Sequence, residues 1–305
     1  MTHQGVEFFE EHRRRLFGIA YRMLGSVADA EDMVQETFLR WQKSRPAEVK
    51  SAEAWLVTVI TRLCLNHLKS ARVQREEYVG VWLPEPLVAE GSPNPRENAE
   101  QAESLSIAFL VILETLSPTE RAVYLLREVF GYAFDDVARI VRKSEANCRQ
   151  LLGRARQHIA ARRPRFPSSA DQQRRLVEAF LEATNRGDLE GLMAVLSEDV
   201  TLITDGGADV PAPRRPVVGA DAVSRMLLHQ APREEAASTV SRLVSINGRP
   251  GFVAYRGREP RAAVAFDLEG GRIRAIYLIG NPEKLAKLSS GPPKNHDHKH
   301  PVDEP

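Results

Sequence analysis

At 305 residues the chain has room for two or three domains, and an apolar fraction of 43% supplies enough core material to exclude general disorder. Two cysteines, Cys64 and Cys148, are too few and too distant for a disulfide framework, and the formal net charge of +1 hides a strong local bias. The opening MTHQGVEFFEEHRRR has no long apolar core and no stretch approaches the roughly 20 apolar residues that span a bilayer, so a cytosolic protein without a membrane partner is expected.

Residues 6–76 carry helical patterning. In VADAEDMVQETFLRWQK, Ala30, Val34, Phe38 and Trp41 form an apolar stripe, with Asp32, Gln35, Glu36 and Leu39 on the other side. In AEAWLVTVITRLCLNHLKSAR, Leu56, Val59, Ile60 and Leu63 point one way, and Thr58, Arg62, Lys69 and Arg72 the other, with Asn66 beside them. His67 sits near the apolar stripe and is expected to be packed rather than to bind a ligand. Each polar face, taken alone, is compatible with ordinary solvation.

The linker, 77–103, contains YVGVWLPEPLV, which cannot be a helix. Pro84 and Pro86 each lack a backbone donor and push the preceding residue toward extended geometry. Trp82, Leu83, Leu87 and Val88 bring more apolar surface than a solvated linker carries, so the strip is expected to dock on something.

In the next block, 104–165, SPTE (Ser117 to Glu120) is a capping box with proline at the first helical position. The helix it starts is expected to end near Gly131, and a shorter one, DDVARIV, to be capped by Asp135 or Asp136. A turn at Arg142-Lys143 leads to Ser144, an N-cap for EANCRQLLGRARQHIAARR. Cys148, Leu151, Leu152, Ala155 and Ile159 lie along one stripe of that helix; Asn147, Gln150 and Arg154 face away from it, with Arg149 at the margin. From Arg139 to Arg165 nine basic residues stand against one acid, Glu145. Helix, short turn and basic helix predict a helix-turn-helix whose last helix enters the DNA major groove.

From 170 to 288 helices come first (QQRRLVEAFLEATNRG, DLEGLMAVLSE, GADAVSRMLLHQ), then strand-like runs VTLI, GFVAY, RAAVAFDL and RIRAIYLI, punctuated by NGRPG, REP and EGG. An α+β domain is expected. The tail, 289–305, is polar and proline-rich, and its three histidines are read as part of a frayed terminus rather than a metal site.

Together these motifs resemble a known family. DAEDMVQETFLRW resembles the region-2 helix with which extracytoplasmic-function (ECF) sigma factors grip the clamp helices of bacterial RNA polymerase, which implies polymerase contacts at Asp29, Asp32, Gln35 and Glu36. EAWLVTVITRLCLNHLKSAR resembles the adjoining segment that melts and reads the −10 element, implying DNA contacts at Arg62, Asn66, Lys69 and Arg72. SPTERAVYLLREVFGYAFDDVARIVRKSEANCRQLLGRAR is similar to region 4, the −35 reader, implying DNA contacts at Lys143, Ser144, Asn147, Arg149, Gln150, Arg154 and Arg156. The two motifs occur in the right order, with no region 3 between them.

Three shorter motifs narrow the resemblance. WLPEPL in the linker, DGG (Asp205, Gly206, Gly207) and NPEKL (Asn281, Pro282, Glu283, Lys284, Leu285) resemble the signature of ECF sigma factors with a fused C-terminal SnoaL-like domain, the mycobacterial sigma factor J type. Ala208 and Asp209 follow Gly207 where that subgroup's glycine-rich turn continues. The resemblance implies a multidomain fold: two all-α helical domains plus a C-terminal α+β SnoaL/NTF2-like cone. Implied partners are the polymerase core, through the clamp helices and flap of its β subunits, and promoter DNA, bound by a chain that is monomeric when free.

Relatives of the cone include cyclases and isomerases with a buried acid or base. Asp199, Asp205 and Asp267 are the acidic candidates, and no histidine or second carboxylate accompanies them at a recognisable spacing, so a regulatory role without cofactor, metal or catalysis is expected. The expected mechanism is docking in cis of Trp82, Leu83, Pro84, Glu85, Pro86 and Leu87 near the DGG turn and NPEKL, with threading of the strip into the polymerase as the competing possibility. On docking, Gly206 and Gly207 admit the linker backbone, and Asn281 and Lys284 meet linker carbonyls or Glu85. The alternative, a ligand-sensing helix-turn-helix repressor, accounts for the cone but gives the region-2-like helices no task.

Overall fold

The computed structural model describes residues 3–44, 51–76, 78, 80–89, 103–160, 169–229 and 239–288, with only the backbone of 3, 4 and 71–76. The Arg72 side chain, linker residues 90–102, Arg162, Arg163 and Arg165 of the basic run and the histidine-bearing tail lie outside the described residues.

Three helices open the chain: α1 (His3–Leu24), α2 (Val27–Lys43) and α3 (Ala52–Glu76). Ser26 caps α2, its hydroxyl accepting from the Asp29 N–H at 3.1 Å. The expected stripe on α2 is buried at Ala30, Val34 and Trp41. On α3 the buried set is Leu56, Val57, Ile60, Thr61, Cys64 and Leu68, a phase turned away from the expected Val59 and Leu63. The reason is tertiary: α3 packs on α1 and α2 and also on the helices that follow the linker, so two neighbours choose its buried arc.

The second helical block is α4 (Ile107–Glu114), α5 (Pro118–Tyr124), α6 (Phe134–Val141) and α7 (Glu145–Ala160). The Ser117–Glu120 capping box forms as the sequence predicts, and α5 runs on through a wider π-type turn at Leu125–Val129. Helix α6 starts at Phe134 with Ala133 as its cap residue, so Asp135 and Asp136 sit in the first turn and act on the helix dipole instead of capping. Arg142 takes the left-handed conformation at φ 57°, and Ser144 caps α7 with its Oγ 3.2 Å from the Asn147 N–H. Both helical blocks share one hydrophobic cluster, from Leu16, Ile19 and Leu56 to Leu113, Leu125, Val137 and Leu152.

The remaining elements are α8 (Ala170–Arg186), α9 (Leu189–Val195), β2 (Leu196–Asp205), β3 (Val217–Val218), α10 (Ala220–His229), β4 (Thr239–Ile246), β5 (Arg249–Arg256), β6 (Glu259–Glu269), β7 (Arg272–Ile279) and the short α11 (Pro282–Leu285). Helix α9 was expected to continue through Glu198; it stops at Val195 because Leu196, Val200 and Leu202 are buried as strand residues against β7. The linker supplies β1 (Val88–Ala89), which the sequence did not reveal, and the sheet order is β1-β4-β5-β6-β7-β2-β3. Val88 pairs with Ile246, so the linker becomes the edge strand of the cone's own sheet.

Alternation of period two gives the sheet two apolar faces. One meets α8 and α10 through Phe180, Phe252, Phe266, Val200 and Val223. The other carries Val253, Tyr255, Ala265, Tyr277 and Ile279 and packs against Leu83 of the linker and Ile107 of α4. This second face joins the cone to the helical blocks.

Candidate functional site

On α7 the structure sorts the predicted DNA-facing residues from the core. Cys148, Leu152, Ala155 and Ile159 are buried, whereas Lys143, Ser144, Arg149, Gln150, Arg154 and Arg156 are exposed and Asn147 is half-buried. Arg149 pairs with Glu145 at 2.8 Å and lies 4.7 Å above the Phe134 ring; Arg156 reaches Glu128 at 2.9 Å and Arg154 approaches Glu120 at 3.9 Å. These are surface pairs that a phosphate displaces at little cost.

On α2, Asp32 and Gln35 are exposed and Glu36 pairs with Arg40 at 2.7 Å. Asp29 lies 3.5 Å from half-buried His67, which is therefore an ion-pair candidate at the margin of the core rather than a packed core residue. On α3, Asn66 and Lys69 are exposed. Arg62, expected to face DNA, instead donates to the carbonyls of Ile140 at 3.0 Å and Arg139 at 2.8 Å. Those carbonyls end α6, where the helix dipole favours a cation. Burial, and then the neighbouring Arg142, lower the Arg62 pKa.

The linker strip is held at two ends. At the first, Asp205 is 1% exposed, and its carboxylate accepts four hydrogen bonds. The donors are the Tyr78 hydroxyl at 2.6 Å, the Leu83 N–H at 2.8 Å, the Gly207 N–H at 3.1 Å and the Lys284 ammonium at 2.6 Å. Lys284 also donates to the Leu83 carbonyl and lies 4.3 Å over the Trp82 ring. Asn281 caps α11 through the Glu283 N–H at 2.9 Å and donates to the Tyr78 hydroxyl at 2.8 Å. Burial and then the bond to Asp205 raise the Tyr78 pKa. Leu285 is buried beside the strip, while Pro282 and Glu283 stay exposed.

Two expected details are corrected here. The open side of Gly207, at φ +65°, is filled by the Asn281 side chain and that of Gly206 by Val210, so neither glycine admits the linker backbone. Of the two kinds of partner expected for Asn281 and Lys284, Lys284 takes a linker carbonyl, that of Leu83, and Glu85 pairs with neither residue. Its carboxylate accepts from the Val27 N–H at 2.7 Å and the Ala28 N–H at 3.3 Å, capping the first turn of α2. That helix start offers free donors and a positive dipole end, a better match for a carboxylate than the already saturated Asp205–Lys284 pair.

At the second end the Glu85 carbonyl accepts from the Tyr21 hydroxyl at 2.6 Å, and the Glu85 N–H donates to the Gly25 carbonyl at 2.8 Å. The Asn247 side chain accepts from the Leu87 N–H at 2.9 Å and donates to the Tyr21 hydroxyl at 2.7 Å. Pro84 and Pro86 are buried between these two clusters. Gly25 stands at φ +69° with the Trp82 ring where a Cβ would be, 2.5 Å away. Tyr21, Gly25, Tyr78 and Asn247 were missed by sequence reasoning. Only the Asn-Gly turn signal pointed to one of them, and it pointed to a hairpin.

The acids considered for chemistry do not share the cone's interior. Phe180, Phe252 and Phe266 fill it with ring centroids 5.1 to 6.3 Å apart. Asp199 is exposed, Asp205 serves the linker, and Asp267 alternates onto the outer face with Ala265. Burial raises Asp267 to about 6 against the pull of Arg274 and Arg249. No helix among the described residues is long and apolar enough to cross a membrane, and no cluster of metal-ligating side chains occurs among them.

Comparison with known proteins follows the same division. Residues 8–73 match Sigma-70 region 2, residues 106–159 match Sigma-70 region 4, and residues 177–276 match the SnoaL-like domain. The chain is 36% identical over 291 residues to the ECF RNA polymerase sigma factor SigJ of Mycobacterium tuberculosis, covering 92% of this chain and 93% of the relative. It is 33% identical over 279 residues to a probable ECF RNA polymerase sigma factor, SigI, of the same species, covering 91% and 93%. The crystal structure of M. tuberculosis SigJ superposes with a TM-score of 0.74 at 32% identity, covering 92% of this chain and 98% of that one. The chain therefore belongs to the ECF RNA polymerase sigma factors, which direct RNA polymerase to promoters, and carries a SnoaL-like domain behind its two sigma regions.

Proposed function

We propose that the SnoaL-like cone controls this sigma factor in cis, by holding the WLPEPL strip and through it a closed arrangement of regions 2 and 4. In this reading Asp29, Asp32, Gln35 and Glu36 meet the polymerase core. Arg62, Asn66, Lys69 and Arg72 meet the −10 element, and Asn147, Gln150 and Arg154 read −35 bases while Lys143, Ser144, Arg149 and Arg156 hold phosphates. The observation that carries it is the double hold on the strip, by Asp205 and Lys284 of the cone and by Tyr21, Gly25 and the start of α2.

Length supports a need for release. Promoter elements centred about 25 base pairs apart lie about 85 Å apart along the duplex at roughly 3.4 Å per base pair. Two regions that share one core cannot reach both. The linker 77–103, fully extended, spans about 90 Å, enough to bridge that distance once the strip 80–89 leaves its docked path. Weak contacts at each element then combine through effective concentration on the polymerase.

The test is Asp205→Ala in the full chain, followed by run-off transcription and by the separation of labels placed on α2 and α7. The separation is expected to widen and the output to change, while −35 base preference stays as it was. Unchanged separation and output would overturn the reading.

A further inference from the structure

The β4–β5 hairpin turns on Asn247-Gly248, both left-handed at φ 52° and 75°. That geometry by itself selects Asn-Gly, and at an ordinary hairpin tip the asparagine amide would face water. Here Asn247 is 0% exposed and Gly248 is half-buried. Glycine or aspartate would satisfy the turn equally well. The two amide donors of asparagine are more than the turn requires, and both leave the cone.

One Nδ2 hydrogen goes to the Tyr21 hydroxyl of α1 at 2.7 Å, the other to the Leu105 carbonyl, just ahead of α4, at 2.9 Å. Oδ1 accepts from the linker Leu87 N–H, and the Asn247 N–H donates to the Leu87 carbonyl at 2.8 Å. A single side chain of the cone thus bonds region 2, the entry to region 4 and the linker. Beyond it the path continues: Tyr21 donates to the Glu85 carbonyl, and Glu85 caps α2, the helix with the expected polymerase contacts. On the other side the Leu105 segment is tied to α1 by Arg22, whose guanidinium donates to the Ser104 carbonyl and hydroxyl at 3.1 Å each.

We propose that Asn247 is the positioning residue by which the cone grips the joint between regions 2 and 4, through its amide donors rather than its turn conformation. The proposal deepens the reading of cis control and rests on it. Only an amide fits: aspartate would set a second acceptor against the Leu105 carbonyl, and glycine would keep the turn and lose all three side-chain bonds.

The decisive variant is Asn247→Gly in the full chain, because glycine preserves the hairpin. Amide exchange of Glu85, which Gly25 holds and Asn247 does not touch, is expected to accelerate on the order of thirtyfold, the effect of losing two or more hydrogen bonds. Run-off output is expected to move in the same direction as for Asp205→Ala. Tyr21→Phe removes the Asn247–Tyr21 bond from the region 2 side without touching the cone, and the Tyr21–Glu85 bond with it, and is expected to move both readouts the same way. The double variant should fall short of the sum of the two, since the Asn247–Tyr21 bond is common to both. Acceleration confined to Leu87, with output unchanged while Asp205→Ala changes it, would overturn the role of Asn247 and leave cis control standing. No change in output for any of the three variants would overturn both. If Asn247→Gly fails to fold, Asn247→Asp decides, since it keeps the turn and the Leu87 bond and loses the two donors: wild-type Glu85 exchange in that variant would overturn the proposal.

Discussion

Two helices carry the side chains expected to meet promoter DNA, and the fold treats them in opposite ways. Helix α7 packs one stripe on α5 and α6 and turns Gln150, Arg149, Arg154 and Arg156 to solvent. Helix α3 lies between α1, α2 and the second helical block, and its Arg62 is spent on the last carbonyls of α6. In the proposed reading the closed chain therefore displays its duplex-reading surface and partly covers its strand-opening surface. A closed-duplex reader needs only an exposed helix of the right phase, whereas the proposed −10 surface would be complete only once Arg62 is released from α6.

The contrast depends on the joint that keeps the two blocks together, and four changes probe it. Asp205→Ala should have the largest effect. It takes the carboxylate from the largely buried Lys284 ammonium and removes the acceptor of the Leu83 N–H, a loss of about 3–5 kcal/mol measurable by urea unfolding. A loss below about 1 kcal/mol would mean that the strip is not held from this end.

Gly25→Ala attacks the other end. A Cβ there meets the Trp82 ring and the backbone stands in the left-handed region, so about 2–4 kcal/mol of destabilisation is expected. Trp82 fluorescence should report a ring moved toward water.

Arg62→Ala sharpens the comparison directly. It removes two hydrogen bonds to the α6 terminus, costing about 1–2 kcal/mol, and should raise amide exchange along α6 without changing that of α7 beyond its first turn. Equal acceleration of both helices would show that region 4 moves as one body.

Asp267 gives the smallest and most gradual effect. Its pKa in the folded chain is about 6, above the ordinary 3.8, so the folded state holds the proton more tightly. The stability it contributes is present below about pH 4 and is lost as pH rises through about 6. Asp267→Asn should therefore flatten the decline in urea midpoint between those values and raise the midpoint at pH 7. An unaltered slope would mean that the carboxyl is ordinary.

Much of this was legible in the chain because it is local. The α2 and α7 stripes follow from spacing, the Ser117 and Ser144 caps from residue type at a helix start, and β5, β6 and β7 from apolar alternation bounded by glycine turns. The docking motifs around Asp205 and Lys284 were legible only through resemblance.

What the tertiary structure alone decided involves partners far apart in sequence. Tyr21 and Asn247 are separated by 226 residues, Leu83 and Asp205 by 122. No periodicity spans such distances. The same limit hid the pairing of Val88 with Ile246, the capture of Arg62 by α6 and the choice of the α2 start by Glu85. Sequence fixes which groups need a partner, since a buried donor or carboxylate must be satisfied. Which partner it finds depends on where the packed cores bring the chain together, and only the folded arrangement of cone, strip and helices settles that.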